Sequence, residues 1–304
     1  MAKLSSYVFF VLLNILVAGA FEDGSTIFMR LFKRDGSYLD AHVLNNAEVV
    51  KMAKHLRKNR NTVIFIHGYS ESITDNDVQL ITSAYLEATN DNVLAVDYKK
   101  IAALPYPIGA ELIEIVAKSV GEALNILASS SMNSKKLHII GHSLGAQVAA
   151  LIGYNINFRI PRITGLDPAG PLFYIFNHRL TSENADFVDV IHTDAGFYGI
   201  ALSSGHVDFY PNGGHRPQPG CQLFNIPLSS EDFCSHQRSF MLYAESVKNP
   251  KAFIGKCQGD CGSNNLVPMG YATPSNTTGH YFLTTNAMSP FGQGINGTTS
   301  SEEL

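Results

Sequence analysis

Residues 136–151 read KLHIIGHSLGAQVAAL and place three local patterns side by side. The apolar run over residues 137–140 predicts a buried strand, and the alanine-rich run after Gly145 predicts a helix. Between them lies Gly141-His142-Ser143-Leu144-Gly145, a G-x-S-x-G motif. At a strand-to-helix junction this motif forms a sharp turn that presents the serine hydroxyl above the carboxyl edge of a parallel sheet. The context therefore favours Ser143 as a nucleophile over an idle serine in a glycine-rich turn.

The rest of the chain alternates strands with helices around this motif. Apolar runs predict buried parallel strands at residues 62–66, 92–97, 137–141, 163–167 and 187–192. Apolar residues at spacings of three and four predict helices over 108–127, 143–155 and 235–247. Residues 26–44 predict an antiparallel hairpin that turns at Asp35-Gly36. This order predicts an α/β fold in one domain, with a mostly parallel central sheet and helices on both faces.

The composition is that of a globular protein. The 304 residues are 45% hydrophobic and 16% charged, and 26 acidic residues oppose 22 lysines and arginines. Such a chain is too apolar to be disordered. Its formal charge of −4 comes with no basic stripe that could neutralise phosphates, so nucleic-acid binding is not expected.

The N-terminal residues 1–20 predict a secretory signal peptide. Lys3 precedes an apolar run over residues 7–17, and Ala18-Gly19-Ala20 offers a small-residue cleavage site. The run is shorter than the roughly 20 residues of a spanning helix, which disfavours a membrane anchor. We therefore expect a secreted, extracellular protein, with a hydrolase domain over residues 21–290 and a flexible tail over residues 291–304.

Secretion also decides how the cysteines and two asparagines are interpreted. In an oxidising compartment four cysteines predict two disulfides rather than a metal site, and they permit three pairings. Asn276 and Asn296 each precede an x-Thr dipeptide, so both are candidates for glycosylation. The cysteines are Cys221, Cys234, Cys257 and Cys261.

A nucleophilic serine needs a base, and that base needs an orienting acid. In a fold with this turn the chain order is serine, acid, histidine. Asp167 ends the strand after the motif and is the favoured acid; Asp189 lies inside a strand, whereas Asp194 and Asp208 remain open. His236 is the favoured base because it begins a helix beside Cys234. Other histidines are expected in structural roles (His67, His142, His192, His206) or in exposed loops (His215, His280).

The tetrahedral intermediate of acyl transfer requires backbone donors for its oxyanion. One donor is the N–H after the nucleophile, which is that of Leu144. The second comes from the loop after an early strand, where His67-Gly68-Tyr69 follows residues 62–66. Tyr69 is therefore the second expected donor. Neither a metal nor another cofactor is expected, because hydrolysis through serine needs none.

Several motifs together resemble the pancreatic-lipase-like family of secreted lipases and phospholipases A1, and the resemblance is greatest to insect and venom phospholipases A1. They cover roughly residues 60–290 in family order. The motifs are Phe65-Ile66-His67-Gly68-Tyr69, Ala95-Val96-Asp97-Tyr98, Ile140-Gly141-His142-Ser143-Leu144-Gly145-Ala146-Gln147, Ile163-Thr164-Gly165-Leu166-Asp167-Pro168-Ala169-Gly170-Pro171, Phe187-Val188-Asp189-Val190-Ile191-His192-Thr193-Asp194, Gly205-His206-Val207-Asp208-Phe209-Tyr210-Pro211-Asn212-Gly213-Gly214 and Cys234-Ser235-His236-Gln237-Arg238-Ser239.

The resemblance implies an α/β-hydrolase fold with Ser143, Asp167 and His236 as the triad and Tyr69 and Leu144 as oxyanion donors. It implies a Cys221–Cys234 disulfide that closes a lid over residues 222–233, and Cys257–Cys261 is then the second pair. A lid this short, beside a short loop over residues 195–205, is similar to that of phospholipases A1. The expected activity is hydrolysis of the sn-1 ester of phospholipids at a membrane or micelle surface.

Two other functions stay open. The same machinery would serve a triacylglycerol or galactolipid lipase. From another class, the chain could be a yolk-type lipid-binding protein with negligible turnover, although the intact triad argues against this.

The departures from the family pattern are also informative. The family's C-terminal β-sandwich domain has no counterpart, so no colipase is expected, and a monomer is favoured. Where calcium-binding members carry acidic residues, this chain has Phe176, Arg179, Thr181 and Asn184, which makes a calcium site doubtful.

Overall fold

The computed structural model describes residues 26–176, 178–262 and 264–299, so the predicted signal peptide lies outside the described residues. The strands are β1 Phe28–Phe32, β2 Tyr38–His42, β3 Thr62–Ile66, β4 Asn92–Asp97, β5 Leu137–His142, β6 Arg162–Leu166, β7 Phe187–Ile191, β8 Val207–Pro211, β9 Ile254–Gln258, β10 Leu266–Pro268 and β11 Gly279–Leu283. The helices are α1 Asn46–Ala53, α2 Asn76–Ala88, α3 Lys99–Ala102, α4 Tyr106–Ser130, α5 Leu144–Ile152 and α6 Cys234–Lys248.

These strands form a single sheet in the order β10-β9-β11-β8-β7-β6-β5-β3-β4-β1-β2. The strands from β11 to β4 in this order run parallel, and antiparallel pairs extend the sheet at both ends. Strand β5 lies in the interior of the sheet, between β6 and β3. The carboxyl ends of the parallel strands therefore meet along one edge, where ligands bind in open α/β sheets.

Helices cover both faces of the sheet because the central strands are apolar on both sides. Along β3, Ile64 and Ile66 pack into the core beneath α1, α4 and α5. The alternate residues Val63 and Phe65 pack into the second core, beneath α2 and α6. Within the described ranges, no helix is both long enough and apolar enough to cross a bilayer.

The predicted parallel strands form within one residue of their expected ends, and the hairpin pairs β1 with β2. The long helix begins two residues earlier and ends three later than its apolar pattern, as α4. The expectation that His280 lies in a loop was wrong, because it lies in β11, although its side chain is exposed. Residues 279–283 pair on both sides with strands distant in the chain, which local sequence does not reveal.

The predicted flexible tail is packed against the domain over residues 291–299. The backbone N–H groups of Phe291 and Gly292 donate to the Glu245 carboxylate at 2.8 and 2.7 Å. Gly294 donates to the carbonyl of Ala252 at 2.8 Å. The polar composition of these residues predicted a loose tail. Composition cannot show that the Glu245 carboxylate on α6 accepts their backbone N–H groups. Residues 300–304 lie outside the described residues.

The turn at Ser143 depends on close packing between neighbouring strands. Ser143 has φ 52° and ψ −119°, and its N–H donates to the Leu166 carbonyl at 3.0 Å. A Cβ on Gly145 would lie 2.2 Å from the Ile66 carbonyl oxygen, and one on Gly141 would lie 2.3 Å from the Gly145 oxygen. Neither position can carry a side chain unless backbone moves, so both glycines of the motif have a steric role.

We expect Gly145→Ala to lower the free energy of unfolding by about 3 kcal/mol, because the new methyl group overlaps backbone that is fixed in the sheet. The matched control is Gly153→Ala at the other end of α5, where the helical φ is −56° and the nearest atom to a new Cβ lies at 3.4 Å. Urea denaturation of both variants measures the difference. Equal stability of Gly145→Ala and wild type would contradict the packing argument.

Candidate active site

Ser143, Asp167 and His236 come together at the carboxyl edge of the sheet, although they lie up to 93 positions apart in the chain. Ser143 follows β5, Asp167 follows β6 and His236 lies in the first turn of α6. All three side chains are buried. Ser143 and His236 line the same two cavities.

The Asp167 carboxylate is fully buried, and both of its oxygens have hydrogen-bond partners. Its Oδ2 lies 2.5 Å from His236 Nδ1, and its Oδ1 accepts from the N–H groups of Thr193 and Asp194 at 2.8 and 3.1 Å. Since a carboxylate only accepts, Nδ1 of His236 donates and its Nε2 is the nitrogen left to accept a proton. This is the tautomer that a general base beside a serine requires.

The other candidate acids have different partners. Asp189 makes a bidentate pair with Arg162 at 2.8 and 2.9 Å. Asp208 lies 2.7 Å from His192 Nε2, so both of these residues have structural roles. Asp194 pairs with Arg216 at 2.6 and 2.7 Å. Among the candidate acids, Asp167 is the one that contacts His236.

The remaining predicted histidines make structural contacts. His67 stacks on the Tyr98 ring at 4.4 Å, and His206 Nδ1 accepts from the Val188 N–H at 3.0 Å. His142 lies closer to the site, with its ring 4.8 Å from that of His236.

Burial and charge act in opposite directions on His236. Burial disfavours the imidazolium, but the hydrogen bond and charge of Asp167, together with the charges of Asp194 and Glu71, raise the pKa of His236 above its ordinary value. Burial raises the pKa of Asp194 despite its pairing with Arg216. The imidazole is therefore a stronger base than an isolated histidine.

The two expected oxyanion donors lie on adjoining segments. A Cβ on Gly68 would lie 3.0 Å from Ser143 Cβ, so the loop that carries Tyr69 packs directly against the nucleophile. Within the described part of the chain, the N–H groups of Tyr69 and Leu144 donate no hydrogen bond. Both are thus available to an oxygen bound above Ser143.

Two cavities flank the serine and differ in chemistry. One, of about 210 Å³, is lined largely by apolar groups. The other, of about 280 Å³, has three acidic residues in its lining. Apart from Ser143 and His236, the first is lined by Tyr69, Tyr106, Ala169, Pro171, Tyr198, Leu228 and Phe233, and the acidic residues of the second are Glu71, Asp75 and Asp77.

The expected lid is a loop closed by the Cys221–Cys234 disulfide, and Cys257–Cys261 forms the second bridge. Four of its apolar side chains face solvent: Leu223, Phe224, Ile226 and Leu228. The most exposed are Phe224 at 84% and Ile226 at 79%. Phe233, by contrast, is half-buried and lines both cavities beside Ser143.

An ion-pair network behind the histidine has no counterpart in the sequence analysis. Arg216 bridges Asp194 and Asp232, and Asp232 also accepts from the Tyr198 hydroxyl and from the Leu228 N–H. This network links the lid to the loop over residues 195–205. Gly199 was also missed, although a Cβ there would lie 2.5 Å from the Asp167 carboxylate. Gly199, Arg216 and Asp232 belong to none of the motifs quoted above, so no sequence signal marked them.

Two clusters in the described ranges have donor atoms close enough to surround a cation. Asp167, Asp194 and His236 are already joined by the hydrogen bonds above. In the other, made of Glu71, Asp77 and His142, Glu71 already accepts from backbone. Phe176, Arg179, Thr181 and Asn184 offer no carboxylate, and the Asn184 Oδ1 already accepts from the Thr181 N–H. We assign no metal to these groups.

The sheet order, the serine turn and the Asp167–His236 pair define the fold as that of an α/β-hydrolase. The family model described as Lipase matches residues 21–291. The chain belongs to this lipase family.

Curated relatives are similar over most of this chain. Pancreatic triacylglycerol lipase of Oryctolagus cuniculus is 36% identical over 221 residues, 66% of this chain and 47% of the relative. The Sus scrofa protein of the same name is 34% identical over 74% of this chain and 54% of its own length. Pancreatic lipase-related protein 2 of Homo sapiens is 34% identical over 67% and 47%. The chain spans about half the length of these relatives.

Among solved structures, a putative hydrolase of the α/β superfamily from Xanthomonas campestris matches with a TM-score of 0.36 and 13% identity, covering 47% of this chain and 77% of that one.

The geometry predicts how reactivity depends on pH. His236 can accept the Ser143 proton only when neutral, and its pKa is raised, so reactivity falls as the pH drops through a value above about 6.5. The rate of labelling by a fluorophosphonate probe between pH 5 and 9 measures this acid limb. A midpoint below the ordinary histidine value would contradict the argument.

Proposed function

We propose that this protein is a serine carboxylic-ester hydrolase of lipids that uses Ser143, His236 and Asp167. The observation that carries the proposal is the buried 2.5 Å contact between His236 and Asp167, next to a serine on a strained strand-to-helix turn. A structural serine would require neither the turn nor a base oriented by a buried carboxylate.

In the proposed reaction Ser143 Oγ attacks the acyl carbonyl while His236 Nε2 takes its proton. The carbonyl oxygen becomes an oxyanion that accepts from the N–H groups of Tyr69 and Leu144. His236 then protonates the leaving alcohol as the C–O bond breaks, which leaves an acyl-enzyme on Ser143. Water attacks the acyl-enzyme with His236 again as base, and a fatty acid and free Ser143 result. Asp167 stabilises the imidazolium in both steps.

A lipid substrate is supported by the apolar surfaces around the serine. The apolar cavity of about 210 Å³ opens at Ser143 and suits an acyl chain. Next to it, the lid exposes Phe224 and Ile226, and a water-soluble substrate gives no reason to expose such side chains. At a membrane or micelle surface these side chains would contact lipid.

Within lipid esters we favour the sn-1 ester of phospholipids, that is, phospholipase A1 activity. The support is the short lid over residues 222–233 beside a loop of only eleven residues, 195–205. We expect a lid of this length to leave part of the site uncovered, so that a polar headgroup can remain in water.

Triacylglycerol hydrolysis is the second candidate, because the relatives reported above include pancreatic triacylglycerol lipases. Both candidates share the chemistry at Ser143 and differ in which lipid reaches it. A yolk-type lipid carrier is the third and weakest candidate, since it requires no reactive serine.

The decisive assay compares two substrates with the purified protein. We expect selective sn-1 release from phosphatidylcholine that carries distinguishable acyl chains, and little turnover of a long-chain triglyceride emulsion. Ser143→Ala should lower the rate by roughly 10⁵-fold, because the nucleophile is lost. Product analysis by mass spectrometry distinguishes the two acyl chains.

Each other outcome selects one alternative. Triglyceride turnover at an equal or higher rate would make the protein a triacylglycerol lipase and reject the argument from lid length. No turnover, together with no fluorophosphonate label that Ser143→Ala abolishes, would favour the lipid carrier.

We also propose that the protein is secreted as a glycosylated monomer that acts without colipase. Two disulfides support an oxidising compartment, and Asn276 and Asn296 are exposed as glycosylation requires. Expression in a secreting eukaryotic cell, followed by deglycosylation and native mass measurement, tests this. An unmodified or dimeric product would reject the corresponding part.

A further inference from the structure

Glu71 lies in the loop that follows β3, two residues after the expected oxyanion donor Tyr69. Its Oε2 accepts from the Gly68 N–H at 2.5 Å. The Ser70 N–H donates to the Ala102 carbonyl at 2.9 Å, and Ser70 has a positive φ of 61°. The backbone N–H groups of Gly68 and Ser70 therefore have acceptors, and the N–H of Tyr69 between them is left available.

The same carboxylate oxygen also reaches the segment that carries the nucleophile. Glu71 Oε2 lies 3.3 Å from Nδ1 of His142, the residue before Ser143. A Cβ on Gly68 would lie 2.7 Å from Glu71 Oε2 and 3.0 Å from Ser143 Cβ, so the three groups are in close contact. One oxygen atom thus joins the loop after β3 to the end of β5.

Glu71 and the neighbouring Asp77 differ in their ionisation states. Burial and the charge of Glu71 raise the pKa of Asp77, whose side chain is 1% exposed. Burial also disfavours ionised Glu71, but the charge of His142 and its hydrogen bond lower the pKa of Glu71 to about 2. Glu71 is therefore the charged member of the pair and Asp77 the neutral one.

We propose that Glu71 is a positioning residue for the oxyanion site: its carboxylate clamps the Gly68 peptide to His142 and thereby aims the Tyr69 N–H at the oxygen that develops above Ser143. The inference rests on the proposed function, since it assigns a role in the same reaction. Its physical basis is that an oxyanion donor contributes only when it is fixed in place before the reaction. Glu71 does not itself contact the reacting atoms.

The negative charge of Glu71 also affects the pKa of His236, independently of where the Tyr69 N–H points. The groups that face His236 are the carboxylates of Asp167, Asp194 and Glu71 and the rings of His142 and Tyr198. The three carboxylates all raise the pKa of His236. Removing the charge of Glu71 therefore lowers the pKa of the base, which a purely structural role would not do.

The test uses a soluble short-chain ester, p-nitrophenyl butyrate, so that binding to lipid surfaces does not enter. We expect Glu71→Ala to lower kcat by roughly 10- to 100-fold with KM changed less than about twofold, because the donor is misplaced and the acyl site is intact. Glu71→Gln retains an oxygen acceptor for the Gly68 N–H and should recover most of kcat. In both variants the acid limb of kcat/KM should move to lower pH.

Two control variants separate charge from position. Asp77→Asn replaces a neutral acid with a neutral amide beside Glu71 and should leave the acid limb in place. Glu111→Gln removes a charge from the exposed surface of α4 and should change neither kcat nor the acid limb. If Glu71→Ala does not fold, Glu71→Asp replaces it: the shorter side chain keeps the charge but withdraws the carboxylate from the Gly68 N–H, so kcat should fall while the acid limb stays in place, and unchanged kcat would overturn the inference.

Unchanged kcat in folded Glu71→Ala would overturn the inference. So would a loss of kcat that Glu71→Gln does not recover while the acid limb stays fixed. In both cases the wild type still hydrolyses the ester and is labelled at Ser143, so the proposed function stands. Failure of the wild type itself to turn over ester or to accept the fluorophosphonate label would overturn the proposed function, and this inference with it.

Discussion

The rest of the structure depends on the close packing of the turn at Ser143 between β3 and β6. The Ser143 backbone has a positive φ. Its N–H donates to the Leu166 carbonyl, which holds the backbone in this conformation. Gly145 lies against the carboxyl end of β3, where there is no room for a side chain. An isolated peptide would not maintain this conformation. The sheet supplies the constraint, and the result is a hydroxyl raised to the edge where the carboxyl ends of β3, β5 and β6 bring the other reactive groups.

Two buried carboxylates lie near the Ser143 hydroxyl: Asp167 contacts His236 directly, and Asp194 is paired with Arg216. Asp167 contacts the imidazole of His236 directly, and two backbone N–H groups satisfy its other oxygen. Farther out, Asp194 is held by Arg216, which also binds Asp232 in the lid loop. Because a buried carboxylate is costly unless it is paired, this arrangement keeps several negative charges near the base. It also connects the loop over residues 222–233 to the surroundings of His236.

The two cavities beside Ser143 differ in the side chains that line them. One is lined largely by apolar groups, whereas the lining of the other includes the carboxylates of Glu71, Asp75 and Asp77 and no lysine or arginine. In the proposed function the triad acts alike on every candidate ester, and the linings of the two cavities distinguish one ester from another.

The sequence by itself determined the elements that local pattern encodes. Apolar runs gave the central strands within one residue, and the G-x-S-x-G context gave Ser143, because strand and helix periodicity and the glycines of the turn are local properties. The pairing of His236 with Asp167 rather than with Asp194 or Asp208 could be favoured but not decided, since all three carboxylates lie near strand ends. Tertiary structure alone decided that pairing, the place of β11 beside β8, and the contacts of Glu71, Gly199 and Arg216. The physical reason is that these depend on contacts between segments far apart in the chain, for which no periodicity exists in the sequence.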